Sequence, residues 1–385
     1  MIKNDTLSKR ICGIDLLKIV SMFMIVVLHV LGKGGILNNA PDGSSQYYIA
    51  WFLESAAFCS VNCFALATGY LMSQHKFKYR RIINLWIIVQ AYNIVFFVID
   101  VFVFKSAITP TQTNVFLPVL SNEYWYLTAY FCLFFFIPFL NKLIDSLNKK
   151  QYYILIVTGF LLFCFAYIPL CKDVFELSYG YSAWWLMYLY LVGAGIRKYN
   201  IFGKMSCASA FMVHIIFVII TFVLNSISIF TKDAVIESMG INISDIFERM
   251  VAYISPTVFI SSVFLFVFFL KLKISNAFGK ILNCIQPLIF QVYIIHTHYF
   301  VLDRLNDRFV DYLKLNPIMM LLMVVIVAFA IFAACLLIDW IRSIIFKILK
   351  VNYLIDVVSD KLVLKWQQSK IKNKVIHFFK EHIGV

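Results

Sequence analysis

Asp15-Leu-Leu-Lys18-Ile-Val-Ser21-Met-Phe-Met-Ile-Val-Val-Leu-His29 carries a cation and an imidazole eleven residues apart inside an apolar run. Eleven residues is close to three helical turns, so Lys18 and His29 share one helix face, about 16 Å apart along the axis. Ionisable groups inside a membrane-spanning helix are costly unless they line a protein interior or a wet cavity. If this helix spans a membrane, its stripe is where function resides.

The composition puts it in a membrane. The chain has 385 residues, 62% hydrophobic and 14% charged, with 39 Phe and 21 Tyr, more apolar surface than a soluble domain of this length could bury. The expected fold is an all-α polytopic membrane protein with about ten transmembrane helices. The spans lie at roughly 13–32, 47–73, 82–104, 124–141, 152–171, 182–196, 207–230, 250–270, 281–302 and 317–338. Lys and Arg supply an independent check on orientation. With the N-terminus inside, inner segments hold Lys3, Lys9 and Arg10, then Lys76, Lys78, Arg80 and Arg81, then Lys142, Lys149 and Lys150. Arg197, Lys198, Lys204, then Lys271, Lys273, Lys280, and a tail with Arg342 and eight lysines continue the series, against eight basic residues outside. Both termini are expected in the cytoplasm.

The net charge of +14 is then a topology signal and an attraction to membrane lipids, and no nucleic-acid partner is expected. Residues 1–340 read as one membrane domain and 341–385 as a basic cytoplasmic tail. From Asp339 onward, Trp340, Ile341, Ile344 and Ile345 interleave with lysines like an amphipathic segment lying along the inner leaflet. The nine cysteines are scattered, and Cys59 and Cys63, at i,i+4, lack a nearby His or further Cys, so no metal is assigned.

Depth orders the polar candidates. Lys18 lies toward the inner side, with Arg80 and Arg81. His29, Glu54, His296 and His298 share the outer third. Asp15, at i,i+3 from Lys18, is expected to pair with it, and the isolated His214 to be a contact between helices. A cationic inner mouth suits a polyanionic cytoplasmic substrate such as coenzyme A, whose phosphates pair with Arg and Lys and whose long arm carries a thioester toward His29. A His can then take the proton of an attacking hydroxyl, with Glu54 orienting it.

Four segments resemble the acyltransferase-3 family of membrane acyltransferases. Asp15-x-x-Lys18-x10-His29 is similar to its first-helix signature, with Lys18 where Arg is commoner. Phe64-Ala-Leu-Ala-Thr-Gly69-Tyr70-Leu71, followed by basic residues, resembles its Ser-Gly-Tyr block, with Ala67-Thr68 where Phe/Leu-Ser is usual. Glu123-Tyr-Trp125-Tyr126-Leu127, with Pro138 and Asn141, is similar to its Trp-Tyr-Leu helix, and Gln291-Val-Tyr293-Ile-Ile-His296 to its late Tyr-Leu-Ile-His block.

The resemblance implies a membrane O-acyltransferase, with acetyl the expected group, moving it from acetyl-CoA or another acyl-CoA to a hydroxyl of a cell-surface glycan or its lipid-linked precursor. It implies His29 as the catalytic base, Lys18, Arg80 and Arg81 on the donor, and Trp125, Tyr126 and His296 on the acceptor; Glu54 belongs to none of these motifs, and its expected catalytic place beside His29 rests on depth alone. Richness in Ile, Phe, Lys and Asn points to an AT-rich bacterial genome, and hence to the plasma membrane. A transporter or flippase for a lipid-linked saccharide is the alternative, since it too places polar groups in a bundle interior.

Overall fold

The computed structural model describes residues 10–74, 78–106, 116–166, 168, 173–231, 235–236 and 241–368. Lys3, Lys9, Lys76 and the end of the basic tail lie outside the described residues. In chain order the principal helices are α1 (Cys12–Leu31), α2 (Ser45–Ala57), α3 (Ser60–Met72), α4 (Arg80–Val98), α5 (Trp125–Ser146), α6 (Lys149–Gly159) and α7 (Ala183–Tyr199). They continue as α8 (Cys207–Ile227), α9 (Pro256–Lys271), α10 (Asn276–Ile285), α11 (Ile289–Thr297), α12 (Tyr299–Leu305), α13 (Pro317–Ile348) and α14 (Val351–Gln368). The strand content among the described residues is one antiparallel pair, Val235–Ile236 with Ile241–Asn242.

Polar residues placed just before apolar runs start several of these helices. Ser44, Ser182, Ser206, Ser275 and Asn316 each accept the backbone N–H three residues on, which satisfies one of the donors a helix leaves open at its N-terminus. Seven stretches among the described residues are long and apolar enough to cross a membrane: Cys12–Asn39, Ser45–Met72, Arg80–Val103, Trp125–Ser146, Cys207–Thr231, Asn276–Thr297 and Pro317–Ile348. Each falls on an expected span. The other three expected spans fall on shorter helices: α7 with 17 residues, α9 with 16, and α6, whose 11 residues run on into a π-helical segment Phe160–Phe165. α7 is buried continuously from Trp185 to Ile196, so neighbouring helices rather than lipid surround it.

α1 is the hub, packed against α2, α3, α9, α10, α11 and α13. α3 and α7 cross at two glycines. A Cβ on Gly69 would stand 2.1 Å from the Tyr190 carbonyl oxygen, and one on Gly193 2.1 Å from that of Leu66. Only glycine at both positions permits this approach, which is how helices gain van der Waals contact where lipid removes the hydrophobic drive between them. Large apolar side chains such as Phe102, Phe139, Ile318 and Phe329 face outward, while Ser21, Asn62, Asn93, Asn225, Gln291 and His296 are buried. Polar inside and apolar outside is the arrangement a bilayer demands.

Three expectations change. The span at 47–73 is two helices, α2 and α3, separated at Phe58 and Cys59, and the span at 281–302 is broken by a 3-10 turn, Gln286–Leu288, and again at His298. The helix of the last span is longer than expected, because α13 continues to Ile348, past residue 340 and into the stretch read as the start of the tail. Asp339 is fully buried and accepts from Tyr92 Oη at 2.6 Å and from Arg342 at 2.6 and 3.1 Å, so its charge is compensated and the helix continues past it.

Candidate active site

The unbroken α1 keeps Lys18 and His29 on one face, and each opens into a cavity of its own. His29, Glu54 and Trp125 line one of about 300 Å³. Lys18, Arg81, Asn84 and Thr68 line another of about 270 Å³, which Gln286 and Gln291 also reach. Phe64, Tyr126 and Phe290 line both, so the two spaces share an aromatic partition. In it the Tyr126 ring lies 6.3 Å from Phe64 and 6.4 Å from Phe290, and the Tyr126 N–H donates to Tyr293 Oη at 3.3 Å.

The breaks in the helices supply this lining. The turn between α2 and α3 puts Glu54, Phe58, Val61 and Phe64 on one cavity wall, and the 3-10 turn before α11 brings Gln286 and Phe290 to the Lys18 side. Non-regular backbone is tolerated at membrane depth where it lines a cavity within the protein.

His29 is held by a second histidine. His296 Nδ1 lies 2.5 Å from the Val292 carbonyl, so this nitrogen carries the proton and Nε2 is left as an acceptor. That Nε2 is 3.2 Å from His29 Nδ1, which also lies 2.9 Å from the Ile25 carbonyl. Two acceptors facing His29 Nδ1 place the proton there, and Nε2 of His29 is the free base. The rings meet edge to face, with centroids 4.9 Å apart.

The expected partner of His29 is therefore replaced. No hydrogen bond joins Glu54 to His29; the orienting groups are His296 and the Ile25 carbonyl. Glu54 is 8% exposed, lines the His29 cavity, and its Oε2 has no hydrogen-bond partner. His296, expected on the acceptor, is fully buried behind His29. His298 faces away, against Phe96 and Tyr299, at 4.6 and 4.5 Å between ring centroids. His214 is the expected helix contact, its Nδ1 2.9 Å from Ser261 Oγ.

Among the cations the structure separates Lys18 and Arg81 from Arg80. Asp15 pairs with Arg10 at 2.5 Å, not with Lys18, and among the described residues no carboxylate lies within ion-pair distance of Lys18. Arg80 is exposed outside both cavities and is ion-paired with Asp356 of α14. Trp125 stands with Tyr181 and Tyr253 at 4.6 and 5.9 Å, all three lining the His29 cavity. Tyr181 and Tyr253 had no sequence signal: Tyr181 stands just before the expected span at 182–196, Tyr253 near the start of that at 250–270, and neither belongs to the quoted motifs.

Among the described residues no group of His, Cys, Asp or Glu side chains could hold a metal ion. The arrangement is a histidine base at the end of one cavity with Lys18 and Arg81 in the next, neither of them ion-paired among the described residues. No curated protein and no solved structure matches the chain. Residues 12–340 match the acyltransferase-3 family, described as an acyltransferase domain, and with nearly the whole chain covered the protein belongs to that family and is an acyltransferase.

Proposed function

We propose that the chain transfers an acyl group, acetyl foremost, from cytoplasmic acyl-CoA to a hydroxyl of an extracytoplasmic cell-surface glycan or its lipid-linked precursor, in the plasma membrane of a bacterium. The observation that carries this reading is the pair of cavities meeting at Phe64, Tyr126 and Phe290. Lys18 and Arg81 suit the phosphates of the donor, and the pantetheine arm reaches past the partition toward His29, about 16 Å farther along α1. The acceptor enters from the other cavity, where Trp125 and Tyr126 offer aromatic faces to a sugar ring.

His29 Nε2 removes the proton of the acceptor hydroxyl as its oxygen attacks the thioester carbonyl carbon. The imidazolium that forms keeps Nδ1–H on His296 Nε2 and the Ile25 carbonyl, the role an acidic residue plays in catalytic triads. The carbon–sulfur bond then breaks, the thiolate of coenzyme A takes the proton from His29, and the new ester stays on the acceptor. Arg80, tied to Asp356, is left out of the donor site.

Ten crossings with both termini in the cytoplasm belong to the same reading. Segments assigned to the inside touch one another: Arg80 with Asp356, Asn141 Nδ2 with Met72 O at 3.3 Å, Tyr199 Oη with Leu147 O at 2.7 Å, and Lys271 Nζ with Gly203 O at 3.0 Å. Those assigned outside do too: Asp307 N–H donates to Lys33 O at 2.9 Å and Phe309 N–H to Gly34 O at 3.0 Å.

Equilibrium binding of labelled acetyl-CoA to purified protein tests the assignment. Lys18→Gln and Arg81→Gln are expected to weaken binding about tenfold or more, Lys18→Arg and Arg80→Gln to retain it, and His29→Gln to bind the donor while losing transfer by about 10³-fold. Wild-type donor affinity in both the Lys18 and Arg81 variants would move the donor site elsewhere, and full-rate transfer by His29→Gln would remove the base.

A further inference from the structure

Glu54 is left with no role in orienting His29, yet it is more than nine-tenths buried and lines the cavity where the acceptor is placed. Its Oε2 has no hydrogen-bond partner, and among the described residues no cation is within ion-pair distance. Lys33 also lines this cavity but is exposed and forms no ion pair with Glu54. Buried carboxylates are ordinarily paired, so an unpaired one facing a cavity points to a partner that arrives from outside the chain.

Its neighbours have matching chemistry. Phe58, Trp125, Tyr181 and Tyr253 line the same space as Glu54. They form a continuous aromatic wall: Phe58 to Tyr253 is 4.6 Å, Tyr181 to Tyr253 4.9 Å and Trp125 to Tyr181 4.6 Å between ring centroids. An aromatic face attracts a cation through the ring quadrupole, most strongly for Trp and where water is excluded. A neutral sugar would stack on the wall but leave the carboxylate without a counter-charge.

We propose that Glu54 and this wall bind a positively charged nitrogen on the acceptor glycan, the ammonium of a sugar with a free amino group, and so select acceptors by charge. The inference rests on the reading above in taking this cavity as the acceptor's. The ammonium sits against Glu54 and the aromatic faces, leaving a hydroxyl of the same sugar to His29.

The test is equilibrium binding of radiolabelled methyl β-D-glucosaminide, its N-acetyl derivative and methyl β-D-glucoside to the full chain in detergent at neutral pH. The first is a cation and the others are neutral analogues of similar shape. Wild type is expected to bind the cationic sugar at least tenfold more tightly than either neutral one. Glu54→Gln is expected to bring the three within about twofold, while Glu54→Asp, which keeps the charge, retains the preference and guards against a folding loss. Equal binding of all three by wild type, or an undiminished preference in Glu54→Gln, overturns the proposal. Acetyl transfer to the three sugars, measured in parallel, separates the two readings: transfer indifferent to acceptor charge removes the cation site alone. No transfer to any sugar, with the binding preference intact, removes the glycan acetyltransferase reading and leaves the site.

Discussion

At Nδ1 of His29 two acceptors compete for one proton, the Ile25 carbonyl at 2.9 Å and His296 Nε2 at 3.2 Å. The first is local to α1 and orients the ring; the second reaches the same nitrogen from α11 and ties the ring to a second helix. Losing the second leaves His29 present but less well aimed. His296→Phe keeps a flat ring of similar volume in a fully buried place, so packing survives while the acceptor is lost. The expected outcome is a fall of about 10²-fold in kcat with labelled acetyl-CoA affinity unchanged, a split that a general folding defect would not produce. A kcat within twofold of wild type would remove His296 as a positioning residue. Lys18 and His29 were legible in the sequence because a helix converts spacing directly into a shared face. Side-chain pairing between helices was not: depth placed Glu54 and His296 in one layer, but only rotation and helix breaks decide that His296 touches His29 and Glu54 does not. Asp15 shows the same limit, since its i,i+3 neighbour Lys18 loses it to Arg10, five residues away and outside the helix.

Elements cross where their side chains are smallest, and α3 with α7 is such a crossing, with a glycine on each helix. Gly69 and Gly193 each face a backbone carbonyl of the other helix, and a backbone atom cannot rotate aside as a side chain can. Gly193→Ala therefore forces the helices apart, along a wall that carries Phe64 of the aromatic partition. Overpacking of this kind costs about 1–3 kcal/mol. The expected outcome is a lower melting temperature in detergent, with a larger drop for Gly193→Val, and an unchanged melting curve for both would show that the crossing is not close. Apolar runs made most spans readable, because about 20 apolar residues in series have few other uses. The breaks at Phe58–Cys59 and Gln286–Leu288 were not readable, since hydropathy does not change across the first and Pro287 alone does not fix where a turn lies. The extension of α13 to Ile348 depends on Tyr92 and Arg342 compensating Asp339, a partnership 247 residues apart in the case of Tyr92.

For the whole molecule the decisive property is which loops share a side of the membrane. The Lys and Arg count and the loop-to-loop contacts are independent of each other, one being a charge bias and the other hydrogen-bond geometry, and each contact named above joins segments that the count puts on one side. Gln46 Nε2 donates to Leu315 O at 3.0 Å, which ties the start of α2 to the loop before α13 on the side of Lys33 and Asp307. In the proposed topology Ser44, next to that contact, and Asn306, beside Asp307, lie on the outer face, whereas Ser146 at the end of α5 and Asn276 at the start of α10 lie on the inner one. Single cysteines at these four positions are read against the background labelling of the parent chain, whose Cys132 and Cys284 are exposed. An impermeant thiol reagent added to intact cells is expected to label Ser44→Cys and Asn306→Cys above that background, and Ser146→Cys and Asn276→Cys only after the cells are opened. Because 44 and 146 are separated by three proposed crossings, an odd number, labelling of both from outside would require one of α2–α3, α4 or α5 not to cross. The Lys18 cavity would then lose the cytoplasmic access on which acyl-CoA as donor depends.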